Sequence, residues 1–191
     1  MRMQKVAVFG NAGGGKSTLS RRLAELTGLP LYVLDKIQYL AGGVRVASDV
    51  YQEIHAQTIA SDQWIIDGFG SMDTLWGRLD AADTLIYVDL PIAVHTWWVT
   101  KRLLTGHITP PVGWPENSPI WKSSMQSYRA LWLCHRYLTP RYRAYVQQAQ
   151  SIKTVYHLRS PAQINQFLTE VAQTIVSADK TLDKTDDCLR I

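Results

Sequence analysis

Residues 10 to 17 read Gly-Asn-Ala-Gly-Gly-Gly-Lys-Ser, which fits the phosphate-binding pattern G-x-x-x-x-G-K-[ST] at every fixed position. The apolar run Lys5-Val6-Ala7-Val8-Phe9 before it has the composition of a buried strand. The stretch Thr18-Leu19-Ser20-Arg21-Arg22-Leu23-Ala24-Glu25-Leu26 after it has apolar residues at helical spacing. Strand, loop and helix in that order are the context the pattern requires. Glycine at 10, 13, 14 and 15 lets the chain wrap an anion with no Cβ in the way. The wrapped N–H groups then point inward, and the helix N-terminus adds its partial positive charge. In this pattern Lys16 reaches the β- and γ-phosphates of a nucleotide, and the Ser17 hydroxyl is placed to bind Mg²⁺.

Outward from this loop, strands and helices alternate. Strand one is Lys5 to Gly10. Leu31-Tyr32-Val33-Leu34-Asp35 follows the helix stop Gly28-Leu29-Pro30 and reads as strand two. Ser48 to Ala60 is an amphipathic helix with Ser48 or Asp49 as its cap. Trp64-Ile65-Ile66-Asp67-Gly68, Thr84 to Asp89, and Thr154 to Leu158 read as strands three, four and five. They are short and apolar, as strands covered on both faces must be. Helices between them force parallel pairing. The expected fold class is therefore a three-layer α/β domain around a parallel five-stranded sheet, a single domain over residues 1–177. The polar stretch from Ser177 to Ile191 reads as a frayed tail.

Between strands four and five the rhythm breaks. Pro91 to Thr105 reads as a helix, and Gly106 to Pro119 is rich in Pro and Gly. Ile120 to Leu138 reads as helix again, and Thr139-Pro140 opens a last helix before strand five. Such an excursion, over about residues 105–138, reads as a lid. A lid suits phosphoryl transfer, where water must be kept from the reacting phosphate.

In an open parallel sheet, ligands gather at the carboxyl ends of the strands. Asp35, Asp67 and Asp89 stand at three such ends, while Asp83 lies at the opposite end of strand four. Asp67, followed by Gly68-Phe69, is the candidate to hold Mg²⁺ or orient an acceptor. Asp35 is placed to bind or deprotonate an acceptor hydroxyl. The competing role for any of them is to cap the next turn.

The net charge is +4, and Lys101, Arg102, Lys122, Arg129, Arg136, Arg141 and Arg143 fall between residues 98 and 145, where Glu116 is the sole acid. Lys122, Arg129 and Arg136 recur every seven residues, on one helical face. Lys122 fits a solvated face. Arg129 and Arg136, on a lid helix, and Arg102, leading into it, are placed to clamp a transferring phosphate. Arg78 follows the Asp67 loop and is placed to reach an acceptor phosphate. The aromatics Trp97, Trp98, Trp114, Trp121, Tyr128 and Trp132 crowd the same region and read mainly as packing. A basic face also suits nucleic acid, so a nucleotide-switched DNA-binding protein is one alternative reading, and an ATP-binding protein with weak hydrolysis and no acceptor is another, against which the lid argues. No helix-turn-helix, zinc module or RNA-binding signature supports it.

A chain of 191 residues, 46% hydrophobic, is long enough to bury a core without staples. Its two cysteines, Cys134 and Cys188, have no metal spacing and read as free thiols in a reducing compartment. Strand one begins almost at once, and no apolar stretch is long and uninterrupted enough to span a membrane. The expected location is the cytoplasm. Monomer and homodimer both remain open.

The phosphate loop, Trp64-Ile65-Ile66-Asp67-Gly68-Phe69, and Val88-Asp89-Leu90-Pro91 leading to Lys101-Arg102 resemble an adenylate-kinase-like P-loop protein. The chain is most similar to the bacterial topology modulation (FlaR-type) proteins. That similarity lies in Leu34-Asp35, in Arg78-Leu79 followed by Ala82-Asp83-Thr84, and in Leu158-Arg159-Ser160. It runs from residue 3 to about residue 172. It implies the sheet order 2-3-1-4-5, ATP as donor, Mg²⁺, and a small acceptor bound between the second strand and the lid. By this likeness Gly10, Ala12, Gly13, Gly14, Gly15, Lys16, Ser17 and Thr18 hold the donor phosphates, with Arg159, Ser160 and Pro161 near the base. Asp35, Phe69 and Arg78 face the acceptor. Lys16, Asp35, Asp67, Arg102, Arg129 and Arg136 carry the transfer, and Ser17 and Asp67 hold the metal. Two features depart from adenylate kinases. Trp98 stands where an adenine-packing Arg is usual, and the usual basic residue near His107-Ile108-Thr109-Pro110 is missing. The segment from Lys36 to Asp49 also lacks their Thr-Gly and Arg pattern, which argues against AMP as acceptor.

Overall fold

The computed structural model describes residues 3–40, 44–105 and 128–188, without the side chains of Arg102, Leu103 and Thr105 or those of residues 178–188. All five expected strands form: β1 (Lys5–Gly10), β2 (Leu31–Val33), β3 (Trp64–Asp67), β4 (Thr84–Val88) and β5 (Thr154–Leu158). They pair in parallel in the order β2-β3-β1-β4-β5. Ala7 of β1 lies opposite Ile66 on one side and Leu85 on the other. The central strands are covered on both faces, which is why their sequence is continuously apolar rather than alternating.

Helices α1 (Lys16–Thr27), α2 (Leu34–Gln38), α3 (Ser48–Ala60), α4 (Met72–Ala81), α5 (Ile92–Thr105), α6 (Thr139–Ala149) and α7 (Pro161–Cys188) complete the three layers. One apolar layer joins Val6, Val8, Ile65, Ile86 and Val88 to Leu19 and Leu23 of α1 and to Phe167, Leu168 and Val171 of α7. The other joins Ala7, Phe9, Ile66, Leu85 and Tyr87 to Tyr51 of α3, to Leu75 and Leu79 of α4, and to Tyr142 and Val146 of α6. The strand-to-face alternation of period two is visible in this division: even-numbered residues of β1 feed one layer and odd-numbered residues the other.

Several boundaries differ from the sequence reading. Strand β2 is only three residues long, and Asp35 lies in the first turn of α2, not at a strand end. The reason is register. Val33 pairs with Asp67, the last residue of β3, so an extended residue 34 would have no ladder partner. The buried Leu34 instead turns into a short helix. The cap position of α3 falls on Ala47, with Ser48 as the first helical residue. Helix α4, which the sequence reading leaves without an element, is held by Leu75 and Leu79 on its buried face. Helix α7 continues to Cys188, beyond the expected start of a frayed tail. The stretch from 178 to 188 contains no Gly or Pro to stop it.

The centre of the expected lid, residues 106–127, lies outside the described residues, and with it the Pro/Gly-rich stretch and Lys122, Trp114 and Trp121. Its two arms are α5 and a helical stretch over residues 128–133. This stretch passes through a π-helical turn, Cys134–Leu138, into α6, with Pro140 in the first turn of α6. The Thr100 and Tyr128 hydroxyls tie the arms together at 2.6 Å. No helix among the described residues is long and apolar enough to cross a membrane.

Candidate active site

The loop from Gly10 to Ser17 leaves β1 and enters α1 through Gly15, whose left-handed conformation (φ 73°) aims the first amides of the helix back over the loop. The Lys16 Nζ donates to the carbonyl of Asn11 at 2.6 Å, across the mouth of the loop. An ammonium has three protons to donate, so this contact leaves two for a ligand.

Asp67, at the end of β3, is 1% exposed. Burial pushes its carboxyl above the usual range. Lys16, a hydrogen bond from Ser17, and Arg78 pull the other way, and the neighbouring Asp35 adds to the rise. The Asp67 Oδ1 is buried with no hydrogen-bond partner among the described residues. An unsatisfied carboxylate oxygen beside the Ser17 hydroxyl is a hard-oxygen donor pair, and the residues present therefore fit Mg²⁺.

These groups open on one cavity of about 780 Å³, a size usual for small-molecule sites. One wall is the phosphate loop itself, with Gly10, Ala12 to Ser17 and Thr18, and Trp98 of α5 beside it. Facing it are Asp35 of α2, Asp67, Gly68 and Phe69 after β3, and Met72 of α4. The floor comes from the return arm: Ala130 and Leu133, then Cys134, Tyr137 and Leu138 of the π turn, then Arg141 of α6. Such π turns recur at functional sites, where they widen a helix locally. Burial pushes the Cys134 thiol up to about 11, so it stays protonated and serves as wall.

Lys16, Ser17, Asp35, Asp67 and Phe69 thus share one cavity, as the sequence reading expects. The expected donor-phosphate residues Gly10, Ala12 to Gly15 and Thr18 line it too, whereas Arg78, Arg129, Arg136, Arg159 and Ser160 do not. Arg78 is fully buried, and its Nη2 donates to the carbonyls of Gly68 at 3.0 Å and Phe69 at 3.3 Å. Helix α4 turns position 78 inward with Leu75 and Leu79, so this guanidinium braces the loop from behind instead of facing an acceptor. Arg129 and Arg136 are exposed, and the Arg136 guanidinium lies 6.0 Å from the ring centre of Tyr137. The Arg102 side chain lies outside the described residues. Ser160 caps α7: its hydroxyl accepts from the Gln163 amide while the Gln163 side chain accepts from the Arg159 amide.

Arg159 lies instead at a second hollow, with Asp89, Arg143 and His157. There Arg143 donates twice to Asp89, at 2.8 and 3.0 Å, and the His157 Nε2 donates at 2.9 Å. Burial pushes the Asp89 carboxyl up, but these bonds outweigh it and the net shift is downward. Asp89 is therefore a structural anchor. So is Asp83, whose carboxylate accepts from the amides of Gln4 and Lys5.

Sequence reading misses Arg141 as a cavity residue, and it misses His95 and Asn11. The His95 Nδ1–H donates to the Ala12 carbonyl at 2.8 Å, and the Asn11 Nδ2 donates to the Leu131 carbonyl at 3.1 Å. The signal for Arg141 was its place right after Pro140 at a helix start. His95 gave none, because its partner is a backbone atom from a remote element.

No protein-family model matches the sequence, and no curated protein matches it. Solved structures do. A shikimate kinase from Bacteroides thetaiotaomicron is 14% identical, with a TM-score of 0.52 over 91% of this chain and 99% of that one. A shikimate kinase from Acinetobacter baumannii, in complex with shikimate, is 16% identical, with a TM-score of 0.53 over 92% of this chain and 94% of that one. At these identities the likeness shows the fold. It is the fold those structures share with this chain, an all-parallel five-stranded sheet in the order 2-3-1-4-5 with helices on both faces.

Proposed function

We propose that this chain is an ATP-dependent kinase that transfers the γ-phosphate to a hydroxyl of a small acceptor, a nucleotide or another hydroxyl compound. The observation that carries this reading is convergence. The phosphate loop, Lys16, the paired oxygens of Ser17 and Asp67, and the carboxylate of Asp35 open on one cavity of about 780 Å³. The P-loop kinase fold supports it further. The sequence resemblance to topology modulation proteins supports a place within the adenylate-kinase-like group.

The chemistry asks the protein mainly for positioning and charge neutralisation. The loop amides and Lys16 take the negative charge of the β- and γ-phosphates. Ser17 and Asp67 would hold Mg²⁺, which when bound neutralises phosphate charge and orients the transferred group. Asp35 accepts the proton of the acceptor hydroxyl as its oxygen bonds to the γ-phosphorus. The bond from that phosphorus to the β,γ-bridging oxygen breaks, and ADP leaves. Arg141 supplies the guanidinium on the acceptor side, where Arg78 was expected. Phe69, Met72, Tyr137 and Leu138 line the cavity and favour an acceptor with an apolar face.

The test is product analysis by anion-exchange chromatography after incubation with Mg-ATP and a panel of nucleoside monophosphates, nucleosides and small hydroxy acids. One acceptor should raise ADP formation and yield a matching phosphorylated product. Lys16→Ala should fold normally and lose turnover by at least about a hundredfold. Full turnover in a folded Lys16→Ala protein would overturn the scheme.

A further inference from the structure

Gly13, Gly14 and Gly15 form the inner turn of the phosphate loop, and α5 presses on each of them. A Cβ at Gly13 would stand 2.6 Å from the Val99 Cγ2, one at Gly14 would stand 2.9 Å from the His95 Cε1, and one at Gly15 would stand 2.9 Å from the Trp98 Cζ3. Residues 95, 98 and 99 share one helical face. These glycines therefore admit a neighbouring helix as well as an anion.

Among these contacts, the one at His95 is also directional. His95 is 2% exposed, and its Nδ1 lies 2.8 Å from the Ala12 carbonyl oxygen. A carbonyl only accepts, so Nδ1 carries the proton. Burial and the nearby Lys16 hold the ring neutral, with its pKa down at about 4. A loop that binds anions must present N–H groups inward and direct its carbonyls elsewhere. The bond to His95 holds one such carbonyl away, at the residue just before the glycine run.

We propose that His95 is a positioning residue for the donor nucleotide: its hydrogen bond to the Ala12 carbonyl locks the phosphate loop in its anion-binding shape. This rests on the reading of the cavity as a nucleotide site. The side chain touches neither phosphate nor metal and acts through the loop backbone.

The test compares wild type, His95→Asn and His95→Leu. Asn carries an amide N–H near the position of Nδ1 and keeps the donor, whereas Leu fills space without one. Mg-ADP affinity is measured by calorimetry. Hydrogen–deuterium exchange of peptides covering residues 10–17 is measured without nucleotide. His95→Leu should weaken Mg-ADP about tenfold and speed exchange in the loop, while His95→Asn stays within about threefold of wild type. Unchanged affinity and exchange in His95→Leu overturns the proposal. Equal weakening in both variants also overturns it, since side-chain volume would then matter and the donor would not. If His95→Leu does not fold, His95→Gln takes its place with the same expected loss, because its amide extends past the Nδ1 position. A wild type that binds no Mg-ADP would overturn the nucleotide reading and this proposal with it. Tight wild-type binding that His95→Leu leaves intact would overturn this proposal alone.

Discussion

Asp67 is a carboxylate that its surroundings keep short of partners. Its pKa in the folded protein is raised above its value in the unfolded chain, chiefly by burial. Ionising it therefore costs stability. Its contribution is most favourable below the unfolded pKa and declines as pH rises towards and through the folded one. Asp67→Asn keeps the shape and removes the charge. At neutral pH it should raise the melting temperature of the nucleotide-free protein by about 2–4 °C. It should also abolish the gain in ADP affinity that Mg²⁺ gives. Scanning calorimetry and titration with and without Mg²⁺ check both halves, and a lower melting temperature would contradict the first. Lys16, Ser17 and Asp67 were legible in the sequence because local rules place them: a fixed spacing after the glycines for the first two, a strand end for the third. Arg78 was misread because its direction depends on the phase of α4. That phase is set by Leu75 and Leu79 finding the core, which is a tertiary fact.

At the scale of elements, α4 shows how a helix with a weak sequence signal is secured. Gly77 interrupts it, and such a glycine costs about 1 kcal/mol against alanine. Its C-terminal carbonyls are met from outside. The Lys153 Nζ, from the loop before β5, lies 2.9 Å from the Leu79 oxygen and 2.8 Å from that of Ala82, and it also reaches Asp80. Lys153→Met keeps the aliphatic stem and strips those carbonyls of their donor. It should destabilise the protein by about 1–3 kcal/mol, read as a lower urea midpoint with an unchanged slope. A midpoint equal to wild type would mean that water replaces the ammonium at no cost. Strand existence was readable throughout, since continuous apolar runs bounded by turn residues have few other uses. Strand length was less so. The end of β2 is set by where β3 stops, and no local property of residues 31–35 carries that information.

For the molecule as a whole, the Asp89 cluster fastens the open edge of the sheet. It links β4 to β5 through His157 and to α6 through Arg143. Here the carboxyl pKa is depressed on folding, so its contribution is present above the unfolded value of 3.8 and is lost as pH falls through the folded one. Asp89→Asn should lower stability at pH 7 by about 1–3 kcal/mol, and the gap from wild type should narrow as pH drops below 3.8. Urea unfolding at pH 7 and at pH 3 measures it, and a gap as wide at the lower pH as at pH 7 would show that the pairing is not electrostatic. The order of the sheet was legible through resemblance, while the cavity floor was not, because the π turn at Cys134–Leu138 leaves no mark in the sequence. That turn carries one residue more than an α-helix needs over the same span. Removing a single residue from it would restore regular winding with the flanking helical faces still in phase, so the local widening that shapes the cavity floor would be lost while the return arm kept its direction. Insertions and deletions, more than substitutions, would therefore reshape this cavity. Descendants that differ by one residue in this turn would inherit the same fold with a differently shaped floor.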